Sequence, residues 1–344
     1  MMLLDTTPGK LTFRHLSRLT DDQGILEHAK GRHPRFANGY CTDDNARLAI
    51  VSLRDDNTVA GSDILARIGV QFVLNAQSID GKFRNRLSFE RLWLDEAATD
   101  DCWGRSLWAL GVASTRGYTG LMRHRSLMAF NSGITHRSPS LHSMCHGALG
   151  AAAVLDHDDE HEEAANFLDD TARMIIDGIT DGDDWFWPEE MLRYCNAVVP
   201  EALLAAGAAL HSADYIEAGL RMLRWLVDKE THNGHLSVTP VGGRRPHDPR
   251  PAFDQQPVEV WAIADACARA YHLTGQPDWC DGIELAVSWF LGNNDTGIPM
   301  IDFESHGGFD GLEPSGVNLN QGAESTLAMI ATMQYERFLN AVQL

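Results

Sequence analysis

GYCTDDNARLAIVSL, residues 39–53, runs from a cluster of polar and acidic side chains straight into a small, apolar helical stretch. The same plan recurs in TDDCWGRSLWALGVA (99–113), SPSLHSMCHGALGAAAVL (138–155), LRYCNAVVPEALLAAGAAL (192–210), DQQPVEVWAIADACARAYHL (254–273) and NQGAESTLAMIATM (320–333). Anchored on Asp44, Asp101, His142, Asn196, Gln256 and Gln321, the segments stand 57, 41, 54, 60 and 65 residues apart. Such a step holds two helices of ordinary length and two connections. A recurrence on this scale describes architecture before it describes chemistry.

The intervening stretches carry more charge: SDILARIGVQFVLNAQ (62–77), HEEAANFLDDTARMIIDGI (161–179), ADYIEAGLRMLRWLVDKE (213–230) and PDWCDGIELAVSWFLG (277–292). In the third, Ile216, Leu220, Leu223 and Leu226 form one apolar stripe against Glu217, Arg221, Arg224 and Asp228. Helices buried on every side therefore alternate with helices that cover them from outside. Closed into a ring, the six hairpins make an all-α fold, an (α/α)6 toroid. A helix near 11–19 would pair with the last inner one. The alternative is a solenoid of stacked helix pairs. The six openings share no consensus, however, and a binding array tends to reuse one. No Pro/Gly/Ser-rich linker divides the chain, so residues 1–344 are expected to form a single domain.

The 344 residues hold 48 Asp and Glu against 28 Lys and Arg, a formal charge of −20. That balance excludes nucleic acid as a partner, which needs basic surface to displace phosphate counterions. It equally disfavours an anionic membrane surface. With 44% hydrophobic and 22% charged residues, the composition is that of a core-forming chain and not a disordered one. No apolar stretch approaches the roughly 18 residues a membrane helix needs. Residues 1–10, MMLLDTTPGK, break their apolar run too soon for a signal peptide. Cys41, Cys102, Cys145, Cys195, Cys267 and Cys280 show no CxxC spacing. They are expected to be reduced and mostly buried, in a cytoplasmic protein.

In a closed ring the polar openings gather at one end. That end would hold Asp43, Asp44, Asp100, Asp101, His142, His146, Glu189, Glu190, Asn196, Asp254, Gln255, Gln256, Glu259, Asn320, Gln321 and Glu324. Tyr40, Trp93, Trp103, Trp185, Trp187, Tyr194 and Trp261 accompany them. Carboxylates, carboxamides and flat rings suit sugars, whose hydroxyls take bidentate partners and whose C–H faces pack on aromatic rings. Paired carboxylates also supply the acid and base of glycosidic cleavage. The competing reading is structural, since Asp, Asn and Thr before a helix commonly cap it. Core packing is likewise the default for Trp103, Trp108, Trp261 and Trp289. Trp185 and Trp187, ahead of an expected helix, are the better sugar platforms. His142 and His146 share a helix face but lack a third ligand, so no metal is expected. No GxGxxG, P-loop or GxSxG pattern is present, and no cofactor is expected.

GYCTDDNAR, RNRLSFERLWLDE, DCWGRSLWALG, WFWPEEMLRYCNA, FDQQPVEVWAIADA and VNLNQGAESTLA together resemble a bacterial family of (α/α)6-barrel proteins. Its members are described as glycosyltransferase-associated or glycosidase-like and belong with the six-hairpin glycosidases. The resemblance runs from about residue 24 to 330, with one departure. Where members usually carry Tyr-Asp-Asn-Ala, this chain has Tyr194-Cys195-Asn196-Ala197. What the resemblance implies is carbohydrate processing by the carboxylates of the matched motifs. The company such members keep, glycosyltransferases and mannoside phosphorylases, implies a mannose- or glucose-containing oligosaccharide.

The expected activity is thus a cytoplasmic glycoside hydrolase acting on a gluco- or manno-oligosaccharide. One carboxylic acid would protonate the leaving oxygen while a second carboxylate activates water. Asp44 and Asp101 lead the catalytic candidates, followed by Glu190 and Glu324. Asp43 or Asn45 would hold sugar hydroxyls and Arg47 would orient a carboxylate. Gln255, Gln256, Asn320 and Gln321 would read hydroxyls. Tyr40, Trp103, His142, Trp187, Glu189, Asn196 and Asp254 complete the expected binding surface. Phosphate in place of water would make the enzyme a phosphorylase. Two rival readings remain on the same barrel. A sugar epimerase or isomerase would draw on His142, His146, His235 and His306. A non-catalytic, sugar-binding barrel would instead be paired with a glycosyltransferase.

Overall fold

Small residues decide where the helices lie. In a computed structural model, which describes residues 12–55, 58–179 and 185–342, every residue of the helix Leu141–Leu155 is buried except Ala153. Its neighbour Asp101–Arg116 approaches so closely that a Cβ on Gly150 would lie 2.2 Å from the Leu107 carbonyl oxygen. A Cβ on Gly111 would lie 2.3 Å from the Gly150 oxygen. Only glycine admits that contact, so the Ala/Gly-rich segments become the inner wall.

That wall consists of α2 (Thr42–Arg54), α4 (Asp101–Arg116), α6 (Leu141–Leu155), α8 (Val198–Ala209), α10 (Pro257–Thr274) and α12 (Ala323–Met333). Each touches the next, and α12 touches α2, so the ring closes. Outside it pack α3 (Ser62–Ala76), α5 (Gly120–Gly133), α7 (Glu162–Gly178), α9 (Ala213–Glu230), α11 (Asp278–Phe290) and α13 (Tyr335–Val342), each against the inner helix before it. The short α1 (Arg14–Leu19) also lies on α12, as the sequence suggests. The fold is the all-α (α/α)6 toroid. Outer helices bury one stripe: α7 buries Ala164, Phe167, Leu168, Thr171, Ala172 and Ile175, at three- and four-residue steps.

The inner helices start on local signals. Asp43 and Asp44 stand in the first turn of α2, where the helix dipole favours anions. Ser140 caps α6 by accepting from the Ser143 N–H at 3.3 Å. Pro257 opens α10, where a missing N–H does no harm. Short strand pairs frame the mouth of the ring: Tyr40–Cys41 pairs with Arg86–Leu87 across α2 and α3, and Gly311–Glu313 forms a hairpin with Gly316–Asn318.

Two expectations need correction. The fourth segment becomes helical only at Val198, and residues 185–197 carry no regular helix. Trp187 is therefore not held out ahead of a helix. It is 1% exposed and stacks on Trp225, centroids 5.9 Å apart, inside the core. Trp103 is likewise fully buried, its Nε1–H donating to the Gly133 carbonyl at 3.1 Å. Neither indole presents a face to a ligand. Residues 1–10, Leu11 and Gly182-Asp183-Asp184 lie outside the described residues. Of the cysteines, five are buried and Cys280 is half-buried, and none is bridged. Among the described residues no helix is long and apolar enough to cross a membrane.

Candidate active site

Where α2 and α12 meet, the mouth of the ring opens into a cavity of 370 Å³. The first two turns of α2 and the first turn of α12 supply Asp43, Asp44, Arg47, Glu324 and Ser325. The strand entering α10 supplies Asp254 and Gln256, and the rim adds Glu27, His28, Arg86, Asp310 and Asn318. Six carboxylates thus face two guanidinium groups.

Arg47 organises this set. It is 4% exposed, and its Nη1 donates to Asp44 Oδ1 at 2.6 Å while Nη2 reaches Glu324 Oε2 at 2.6 Å. Burial lifts the Asp44 carboxyl to about 6, with Arg47 pulling the other way. Cys41 Sγ donates to the second Asp44 oxygen at 3.1 Å, so Asp44 is fully engaged. Glu324 keeps a side chain 37% exposed to the cavity. Asp43 accepts from Asn85 Nδ2 at 2.9 Å and faces Arg105 Nε at 3.4 Å. Burial pushes its carboxyl up, against the pull of Arg105 and Arg47.

Asp254 stands apart. Among the described residues its buried Oδ1 has no hydrogen-bond partner. The oxygen is pressed on Gly311, where a Cβ would lie only 2.1 Å away. Burial first, and then the neighbouring Glu313 and Asp310, raise the carboxyl to about 6. Asp310 is itself pinned at Oδ1 by the Gly322 N–H at 2.7 Å and the Ser325 hydroxyl at 2.9 Å. One cavity therefore holds two carboxyls raised to about 6, Asp254 and Asp44, and a third, Glu324, paired with Arg47.

Two further cavities follow the mouth towards α4 and α6. One, of 240 Å³, is lined by Asn85, Asp95, Asp101 and Ser140 among others. The next, of 450 Å³, is lined by Asp101, Ser140, His142, Glu189, Arg193 and Tyr194 with apolar neighbours. Asp101 accepts from Ser143 Oγ at 2.8 Å. His142 stacks on Tyr194 with centroids 5.0 Å apart, and its Nδ1 lies 3.9 Å from Glu189 Oε2. Burial lowers His142 to about 4, Asp101 opposing, so the ring is neutral.

Other expected site residues line none of these three cavities. Asn45 accepts from the Ile25 N–H at 2.9 Å and donates to the Cys41 carbonyl at 2.9 Å, tying the N-terminal segment to α2. Asn196 donates to Glu259 Oε2 at 2.9 Å, and Glu259 also accepts from the backbone of Cys195 and Asn196. Gln255, fully buried, bonds Asp295 at 2.7 Å, and Gln321 bonds Asp302 at 2.8 Å. Asn320 accepts from the Gly31 N–H at 3.0 Å. Tyr40 is 1% exposed, its hydroxyl donating to Asp21 at 2.6 Å. Glu190 is exposed and lines none of the three cavities.

Cys195 stands where the resemblance leads one to expect an aspartate. Its φ is 50°, a region in which Asp and Asn are enriched, so the backbone there would also suit an aspartate. The side chain faces an enclosed void of 10 Å³ beside Arg105 and Glu201, not an open cavity. Glu27, Arg86, Asp310 and Asn318 have no helical periodicity to mark them, because they sit on short rim strands and loops. Arg86 lies within the RNRLSFERLWLDE stretch, which offered the one available hint.

No family model matches the chain, and no curated protein matches it. Solved structures do. A sugar epimerase from a ruminal bacterium superposes with a TM-score of 0.71 at 12% identity, covering 94% of this chain and 95% of that one. The cellobiose 2-epimerase of Bacillus thermoamylovorans gives 0.70 at 9%, covering 95% and 96%. An α-mannanase of Bacteroides thetaiotaomicron gives 0.61 at 11%, covering 88% of both chains. At such identities the likeness establishes the (α/α)6 fold, and the chemistry has to be argued from the site.

Proposed function

We propose that the protein is a glycoside hydrolase whose reaction takes place in the cavity between α2 and α12. The observation that carries this is the pair of unlike carboxyl groups, Asp254 and Glu324. Asp254, whose Oδ1 has no hydrogen-bond partner among the described residues and which is crowded by other acids, protonates the leaving glycosidic oxygen. Glu324, steadied by Arg47, acts on the sugar as nucleophile or through a water. Asp44 serves as the second anchor of Arg47, and Asp43, Gln256 and Asn318 receive sugar hydroxyls. Six carboxylates against two arginines repel a phosphate dianion, which favours hydrolysis over phosphorolysis. The motifs that resemble the glycosidase-like barrel family support this reading, and solved structures of this fold, sugar epimerases and an α-mannanase among them, support action on a sugar. A gluco- or manno-oligosaccharide is the substrate we expect.

One observation favours a second reading. The neutral, buried His142 beside Glu189 is a base that a sugar epimerase or isomerase can use to exchange a proton next to a carbonyl. Product chromatography of α- and β-linked gluco- and manno-oligosaccharides, incubated in heavy water with and without phosphate, separates the readings. Phosphate-independent shortening of the chain without carbon-bound deuterium is the hydrolase result. An intact oligosaccharide carrying new deuterium at a sugar carbon contradicts it.

A further inference from the structure

His142 is 3% exposed, yet among the described residues its Nε2 has no partner. The same holds for the buried Oε2 of Glu189. Both residues line the 450 Å³ cavity at the α6 side of the mouth, away from Asp254 and Glu324. Buried polar atoms are normally paired, and leaving them unpaired is costly. A ligand rich in hydroxyls supplies both partners, accepting or donating at His142 Nε2 and donating to Glu189.

The cavities form a sequence. Asp101 and Ser140 line both the 450 Å³ and the 240 Å³ spaces. Asn85, in the 240 Å³ space, donates to Asp43, which lines the 370 Å³ cavity. Arg105, buried behind these cavities, reaches towards both ends. Its guanidinium lies 5.9 Å from the Tyr194 ring centroid, and its Nε is 3.4 Å from Asp43. A globular ligand would use one space, whereas a linear chain can occupy all three.

Resting on the hydrolase reading above, we infer that the substrate is an extended glycan. Its reacting end sits at Asp254 and Glu324, and it runs past Asn85 and Asp101. A distal unit is held at His142 and Glu189. That cavity is a binding subsite and takes no part in bond cleavage.

The test is calorimetric binding of gluco- and manno-oligosaccharides of two to six units to Asp254→Asn, so that no chain is cut during titration. Affinity should rise by roughly tenfold between two and four units, as the distal hydroxyls gain buried partners. Adding His142→Ala or Glu189→Gln should abolish that rise. Glu189→Gln, at a half-buried position, guards against misfolding of the histidine variant, and near-native melting of either suffices. Affinity that does not depend on chain length, or a rise that survives both substitutions, overturns the distal subsite alone. Failure of every oligosaccharide to bind overturns the subsite together with the hydrolase reading.

Discussion

Glu324 and Glu259 occupy equivalent places, in the first turns of inner helices α12 and α10, and meet opposite fates. Glu259 is 3% exposed and takes hydrogen bonds from the backbone of Cys195 and Asn196 and from the Asn196 side chain. Its valences are consumed in fixing the irregular chain that enters α8. Glu324 meets a single guanidinium and leaves over a third of its side chain open to a cavity. The same residue type in the first turn of an inner helix is a fastener on one side of the ring and a reactive group on the other. What separates them is whether backbone N–H groups arrive first.

Substitutions can break that contrast. The largest effect is expected at Glu324→Gln, which should lower kcat by about 10²–10⁴-fold. Its stability should change by about 1 kcal/mol or less, since a partly exposed ion pair contributes little. Calorimetric melting beside steady-state rates checks both halves. A stable variant with unaltered turnover would reduce Glu324 to another fastener.

Glu259→Gln should do the reverse. An amide offers one acceptor oxygen where two are in use, so about 1–3 kcal/mol of stability should go. The folded fraction should keep its kcat, read from initial rates well below the melting transition. A loss of kcat without a loss of Tm would move the chemistry to the α8–α10 side. Smallest of all is Glu190→Ala, at an exposed position away from the cavities, where stability should stay within about 0.5 kcal/mol. Its rates should be close to those of the wild type, and a hundredfold loss would restore it as a catalytic candidate.

The toroid was legible because it is a matter of period and size. Gly111 and Gly150 announce close helix packing, and the stripe through Leu223 and Leu226 announces an outer face. Asp43, Asp44, Arg47, Asp254, Gln256 and Glu324 were also legible as a group, since ring closure alone brings them to one mouth. Their individual roles were not. Asn45 and Asn196 are written like sugar ligands and spend their amides on the protein's own groups. Trp187 has the composition of a platform but is covered by Trp225, a contact that sequence spacing does not reveal. Asp254 was read as a hydroxyl binder because nothing local marks its crowding by Asp310 and Glu313, which arrive from a hairpin over fifty residues later.

That crowding leads to the most direct test, the pH dependence of kcat/KM for wild type and Asp254→Asn. A carboxyl raised to about 6 is protonated below that pH and loses its proton above it. As general acid it should therefore give the wild type an activity that falls as pH rises through about 6. Asp254→Asn should be slower by about 10²–10⁴-fold and lack that limb. A variant that keeps both the rate and the falling limb would contradict the assignment of the acid, and with it the claim that the chemistry belongs to the α2–α12 side of the ring.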